Sequence, residues 1–490
     1  MCDRERGWSE VPLVKTWQLI AGSAVAGLAL SAVTVASAGP WDSGQRKAER
    51  DRAASWSRAG GADHVAGAGL PKPAASAPGV LPGIGPSAPA GDRPAAVAPG
   101  GPEALAGVLG PLLADRALGS VRSASVVDAA TGRVLYESAP GEAMTPASTI
   151  KIATAVAALA ALGPEHRIRT TVTPAAEPGR IVLVGGGDPS LTAKKKSPAG
   201  SGGSLVALAA DTAQALKAAG TDTVALGYDD FLYPGAVRHP IGRNDNIAPV
   251  TALTADEGRP DDSVSGPVER SDDPSGDTAR AFAGLLRERG IKVTGEPARV
   301  NAPAGAQQLA ATQSTPVAGL VERMLTHSDN DIAEALARQT AVAAGTPASF
   351  EGAEKAVSDK LASLGLDVSG HRFADGSGLN RADKVSTRLL TGLLAKAADP
   401  RHPELRPVLT GLPVAGFTGT LRSRNAGTSP AAGLLRAKTG TLTGVNSLAG
   451  TAVDPSGRLL AFAFLSAGAP DGPAAEKGLD KLAAAVATTP

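Results

Sequence analysis

The chain has 490 residues, which at roughly 150 residues per domain allows about three domains. Lys and Arg number 48 against 47 Asp and Glu, and a net charge of +1 argues against a nucleic-acid binder held by phosphate contacts. Only 4 Trp, 3 Tyr and 7 Phe stand beside 59 Gly and 38 Pro, so a core has to be built from Ala, Val, Leu and Ile, and part of the chain need not have one.

A single cysteine, Cys2, excludes a disulfide framework and any cysteine-based metal site. The six histidines (His64, His166, His239, His327, His371 and His402) show no zinc-type spacing, and no metal or cofactor is expected.

In chain order, the first feature is the uncharged run from Leu19 to Ala38, preceded by Arg4, Arg6 and Lys15 and closed by Ala36-Ser37-Ala38. It reads as a secretory signal peptide with a cleavage site after Ala38. At 20 residues it is also long enough to anchor the chain in a bilayer uncleaved. In either case the bulk of the chain is expected outside the cytoplasm, in the cell envelope, touching a membrane only through this segment. Residues 39 to 103 are rich in Ala, Pro and Gly, bury too little to offset their ordering entropy, and read as a linker.

Periodic structure begins near Pro102. "PEALAGVLGPLLADRALG" has helical spacing, and "SASVVDAATGRVLYE" reads as two strands around a turn at Thr131-Gly132. "PASTIKIATAVAALAAL" is a helix, with Thr145 as its N-cap and Pro146 at its first position. "GRIVLVGGGDPSL" is a strand ending in a glycine-rich turn. Residues 205 to 310 read as helices separated by loops, and helical spacing resumes from Pro316 past Asn330. "LLRAKTGTL", "SLAGTAVD" and "GRLLAFAFLSAG" read as three consecutive strands, followed by a final helix. Helices between an early hairpin and a late antiparallel meander indicate an α+β domain assembled from both ends of the globular region, with its middle an insertion.

Three short motifs occur in order: Ser148-Thr149-Ile150-Lys151, Ser328-Asp329-Asn330 and Lys438-Thr439-Gly440. Each alone is weak, since single matches to such short patterns carry a high false-positive risk in a chain this long. Together, on a helix start, in a helical stretch and on a late strand, they point to one site. Ser148 and Lys151 share a helix face. A serine hydroxyl needs a base, and Lys151, set among Ile150, Ile152 and alanines, is one whose pKa desolvation would lower. The bland alternative is a lysine snorkelling from an ordinary amphipathic helix. Lys438, with the hydroxyls of Thr439 and Thr441, suits a substrate carboxylate, and the N–H groups of Ser148 and Thr441 suit an oxyanion. Ser328 is placed to relay a proton and Asn330 to bind a substrate amide, while the same segment also fits an N-cap. His327 reads as a helix-end histidine rather than a base.

The sequence resembles low-molecular-mass class C penicillin-binding proteins, the D-alanyl-D-alanine carboxypeptidase/endopeptidase family with an inserted domain. The likeness is carried by "TGRVLYESAPGEAMTPASTIKI", "APVTALTADEG", "LTHSDNDIAEALARQ", "FADGSGLNRADKVST" and "LLRAKTGTLTGVNSLAGTAV". It implies a penicillin-recognising transpeptidase/β-lactamase-like domain, with a five-stranded antiparallel sheet, covering helices and an all-helical subdomain. That domain would comprise residues 104–170 and 313–490, split by an inserted domain at 171–312, with a second inserted domain reduced or absent. It further implies Ser148 as nucleophile, Lys151 as general base, Ser328 and Lys438 in protonation of the leaving D-Ala, and substrate binding by Asn330, Thr439, Gly440 and Thr441. The implied partners are peptidoglycan stem peptides, with β-lactams as inhibitors. Asp229 and Asp230 lie where some relatives bind the diaminopimelate end, and a turn role fits them equally. A β-lactamase, for which Glu404 offers a faint second base, and a non-catalytic wall-binding or sensor protein are the alternatives. No glycosyltransferase-like segment precedes the domain, which argues against a bifunctional synthase.

Overall fold

The computed structural model describes residues 101–196 and 202–490, all within one compact unit, Asp92–Pro490. The export segment, and the linker up to residue 100, lie outside the described residues. No described helix is long and apolar enough to cross a membrane.

Two five-stranded sheets organise the chain. The first joins β1 (Val121–Asp128) and β2 (Val134–Ser138) to β8 (Leu435–Leu442), β9 (Val445–Val453) and β10 (Leu459–Ala467) in the order β2-β1-β10-β9-β8, all antiparallel. Its β1–β2 turn is closed by Asp128, whose Oδ1 accepts from the N–H groups of Ala130 and Thr131 at 3.1 and 2.9 Å. Alternation along β10 sorts the two faces. Leu460, Phe462 and Phe464 pack with helices α1 (Pro102–Leu113) and α9 (Gly472–Thr488). Ala461, Ala463 and Leu465 face the helical layer.

That layer comprises α2 (Lys151–Leu162), α5 (Val317–His327), α6 (Asn330–Ala343), α7 (Phe350–Ser363) and α8 (Thr387–Ala398). Every residue of α2 from Lys151 to Leu159 is buried. Its alanines let α5, α6, α7 and α8 approach closely, which is how a chain poor in aromatics fills this core.

The second sheet has the order β6-β5-β4-β3-β7, from β3 (Arg169–Pro174), β4 (Arg180–Val184), β5 (Thr223–Asp229), β6 (Lys292–Arg299) and β7 (Ala310–Gln313). Strands β4, β5 and β6 run parallel, linked through α3 (Leu205–Ala218) and α4 (Pro274–Glu288), which form a separate core with it. The expectation of helices and loops over residues 205 to 310 is therefore corrected by two strands, β5 and β6. The signal was weak because β6 is an edge strand, mostly exposed and broken by Gly295 and Pro297, while Gly227 interrupts β5 where Val300 packs against it.

The expected N-cap at Thr145 is also corrected. Its hydroxyl donates to the Arg381 carbonyl at 3.1 Å and accepts from Lys384 Nζ at 2.8 Å. A 3-10 turn, Ala147–Ile150, precedes α2 with no side-chain cap. Tertiary contacts outcompete the local cap here.

Candidate active site

Ser148 sits in that 3-10 turn, after Ala147, which has a φ of 49°. The turn is pinned to the sheet, since the Pro146 carbonyl accepts from Ser447 Oγ on β9 at 2.6 Å and from Thr149 Oγ1 at 2.8 Å. Gly440 on β8 passes close beneath. A Cβ there would lie 2.2 Å from Ser447 Oγ, 2.8 Å from the Pro146 carbonyl and 3.0 Å from the Ser148 nitrogen. Glycine at this position of the third motif is thus a condition for the strand to reach the serine.

The structure brings Ser148, Lys151, Ser328, Asn330 and Lys438 together. Lys151 Nζ lies 3.0 Å from Ser148 Oγ, 2.7 Å from Asn330 Oδ1 and 2.5 Å from the Ser377 carbonyl. Lys438 Nζ donates to Ser328 Oγ at 2.9 Å and to the Thr439 carbonyl at 2.8 Å. Ser328 ends α5 in the left-handed region, φ 60° and ψ 39°. Asp329 caps α6 by accepting from the Ile332 N–H at 3.0 Å, which leaves Ser328 and Asn330 available to the site. The Asn330 amide donates to the Asn246 carbonyl at 3.0 Å, so its oxygen is turned toward Lys151.

Both lysines are fully buried. Burial pushes Lys151 down to about 8 from 10.5, against the opposing pull of Asp375, Glu334, Asp329 and Asp383. Lys438 is lowered well below its ordinary value, first by burial and then by the charges of Lys151 and Arg424.

Thr439 and Thr441 occupy the open edge of β8. The backbones of Leu435 and Ala437 turn away from β9 toward a short segment, pairing with Ala415 N–H and the Pro413 carbonyl. The two-residue alternation gives Thr439 and Thr441 the same outward orientation. Thr439 Oγ1 donates to Thr420 Oγ1 at 3.0 Å, and Thr441 Oγ1 to Glu476 Oε1 at 2.9 Å. Sequence reasoning missed Thr420 and Glu476, as well as Ser377, whose contribution is a backbone carbonyl. A cleft of about 230 Å³ is lined by Ser148, Ser328, Asn330 and Thr441, joined by Arg259 and Arg270. A larger cavity of about 440 Å³, between Ala193 and Ala281, contains none of the expected site residues.

His327 ends α5 at the cleft wall. Asp229 and Asp230 take the turn role: Asp229 accepts from the N–H groups of Phe231 and Ala302, and Asp230 pairs with Arg299. Glu404 pairs with His402 at 3.0 Å and does not line the cleft.

Among the described residues, two groups could hold a cation by proximity: His239 with Glu334 and Asp375, and Glu257 with Asp329 and Asp331. The first already meets backbone N–H groups and an imidazole, and the second already meets Arg259, Arg270 and Arg323.

The structure of penicillin binding protein 4 (dacB) from Haemophilus influenzae matches this one with a TM-score of 0.63 at 24% identity, over 77% of this chain and 97% of that one. The fold is therefore that of the penicillin-recognising, transpeptidase/β-lactamase-like proteins. The model of the D-Ala-D-Ala carboxypeptidase 3 (S13) family matches residues 105–269 and 259–486. "Carboxypeptidase DacB" of Mycolicibacterium smegmatis is 37% identical over 84% of this chain and 88% of its own length. A D-alanyl-D-alanine carboxypeptidase of an Actinomadura species is 28% identical over 73% of this chain and 80% of its own. The chain belongs to the D-Ala-D-Ala carboxypeptidase 3 (S13) family, as a serine-type D-Ala-D-Ala carboxypeptidase.

Proposed function

We propose that Ser148 is the nucleophile of this peptidase and Lys151 its general base. The observation that carries the reading is a fully buried amine, its pKa brought down to about 8, lying 3.0 Å from the serine hydroxyl. A stem peptide ending in D-Ala-D-Ala lies along the outward edge of β8, with its carboxylate at the Thr439 and Thr441 hydroxyls beside Gly440. Neutral Lys151 takes the Ser148 proton as Oγ attacks the penultimate carbonyl carbon. The oxyanion is held by the N–H groups of Ser148 and Thr441. Collapse breaks the peptide bond, and the departing D-Ala amine receives its proton through Ser328, which Lys438 holds at 2.9 Å. Asn330 anchors the substrate amide. Water then hydrolyses the ester, releasing the shortened peptide and restoring Ser148. A β-lactam acylates the same oxygen and stays.

We further propose residues 104–170 and 313–490 as the catalytic domain and 171–312 as an inserted domain. The mixed sheet with its own core supports this, its first strand in the chain starting at Arg169 and its last ending at Gln313. An enzyme acting on peptidoglycan works in the cell envelope, and the expected export segment, whether cleaved or kept as an anchor, fits that location.

The test is product analysis on two substrates. Purified enzyme given a pentapeptide should release D-Ala, and given cross-linked muropeptides should cleave the D-Ala bridge if endopeptidase activity is present. No release from either would overturn the reading.

A further inference from the structure

A neutral amine carries two N–H bonds and one lone pair. Of the three polar neighbours of Lys151 Nζ, Asn330 Oδ1 and the Ser377 carbonyl only accept, so they take both N–H bonds and leave the lone pair on the Ser148 hydroxyl. The Ser377 carbonyl therefore aims the base as much as Asn330 does.

That carbonyl belongs to a loop with no regular structure, residues 374–380, packed against three buried carboxylates, those of Asp375, Glu334 and Asp383. Asp375 Oδ1 accepts from the N–H groups of Ser377 and Gly378 at 3.0 and 2.6 Å, and Oδ2 from that of Asn380 at 2.7 Å. Glu334 on α6 accepts from Gly376 and Ser377, each at 3.0 Å. Gly378, at φ 85°, abuts the turn carrying Ser148, and a Cβ there would lie 2.0 Å from the Ala147 carbonyl.

Asp375 Oδ2 also accepts from Ser377 Oγ at 3.3 Å, the Asp375 N–H donates to Asp383 Oδ1 at 3.2 Å, and a further partner comes from elsewhere in the chain. His239, 2% exposed, places Nε2 at 2.9 Å from Asp375 Oδ2. Its Nδ1 accepts from the Ile241 N–H at 3.2 Å, so Nε2 carries the hydrogen and donates it to the carboxylate. Phe350 meets the ring edge-on at 5.5 Å and fixes its plane.

We propose that His239 is a positioning residue for the catalytic base: by holding Asp375 it locks the 374–380 loop and keeps the Ser377 carbonyl on Lys151. His239 lies in the segment between β5 and α4, so the middle of the chain takes part in aiming the base. The inference rests on the Ser148–Lys151 reading and adds to it.

The measurement is the rate constant of benzylpenicillin adduct formation, followed by intact mass, for wild type, His239→Gln and His239→Asn. Glutamine keeps a donor within reach of Asp375, whereas asparagine keeps an acceptor for Ile241 but falls short of Asp375. The account expects His239→Gln within about threefold of wild type and His239→Asn slower by about 10- to 100-fold, the scale of a small misplacement of a reacting group. Unfolded molecules lower the amplitude of the reaction and not its rate constant, so a loss of stability alone does not mimic this result. Ile241→Pro, on an exposed loop, removes the N–H that sets the imidazole tautomer and should slow acylation by about fivefold, the worth of one hydrogen bond. His239→Asn at the wild-type rate, His239→Gln as slow as His239→Asn, or an unaffected Ile241→Pro would each overturn the proposal. An unreactive wild type would instead remove the Ser148–Lys151 reading itself.

Discussion

The two walls of the cleft are built on opposite terms. Around Lys151 the groups are enclosed and already partnered: the buried amine has three polar neighbours, the Ser377 loop is held by buried carboxylates, and Asn330 is fixed by the Asn246 carbonyl. Around Thr439 and Thr441 the strand edge is open, and the threonine hydroxyls rest on Thr420 and Glu476, partners that a substrate carboxylate can displace. The difference separates two tasks. Proton transfer needs a base whose neutral form is reachable and whose lone pair has one direction, which burial and fixed acceptors provide. Recognition needs polar groups that water can leave and a peptide can reach, which an exposed edge provides.

The contrast is broken most completely at Lys151. Lys151→Met keeps the side-chain length, removes the base, and should cut benzylpenicillin acylation by about 10²- to 10⁴-fold in stopped-flow or mass measurements. A variant within tenfold of wild type would mean that another group takes the proton.

The junction of the two walls is Gly440. Gly440→Ala places a methyl group among Ser447 Oγ, the Pro146 carbonyl and the Ser148 nitrogen, and should reduce acylation by about 10²-fold through displacement of the serine turn from β8. A folded variant with wild-type kinetics would contradict the close approach.

The buried wall also sets the pH dependence. Lys151 is pushed down to about 8, and the base acts only when neutral, so acylation should fall as pH drops below about 8. A midpoint near 10.5 in a pH–rate profile would indicate an ordinary exposed lysine. The open wall should respond most mildly. Thr441→Val removes one hydroxyl and should raise KM for a carboxylate-ended peptide by about tenfold, the worth of one hydrogen bond to a charged group, with less effect on kcat. An equal loss in kcat would place Thr441 in the chemistry rather than in recognition.

Much of the antiparallel sheet was readable because β10 is a nearly continuous apolar run of strand length and β8, β9 and β10 are punctuated by turn residues at Gly444 and at Pro455-Ser456-Gly457. The motif residues were readable because serine, lysine and asparagine at those spacings are chemically distinctive. What escaped had no side-chain signature. Ser377 acts through its carbonyl, and the loop that carries it is held by backbone N–H groups. Glu334 did leave a trace: an acid among Ala333, Ala335 and Leu336 on a buried helix implies an internal partner. The helix cap assigned to Thr145 failed because its hydroxyl bonds Arg381 and Lys384, far along the chain.

The central claim, that Ser148 is the atom acylated, is tested most directly by intact mass after incubation with benzylpenicillin. The account predicts a single stable adduct in the wild type that is absent in Ser148→Ala. An adduct that persists in Ser148→Ala, or none in the folded wild type, would contradict it.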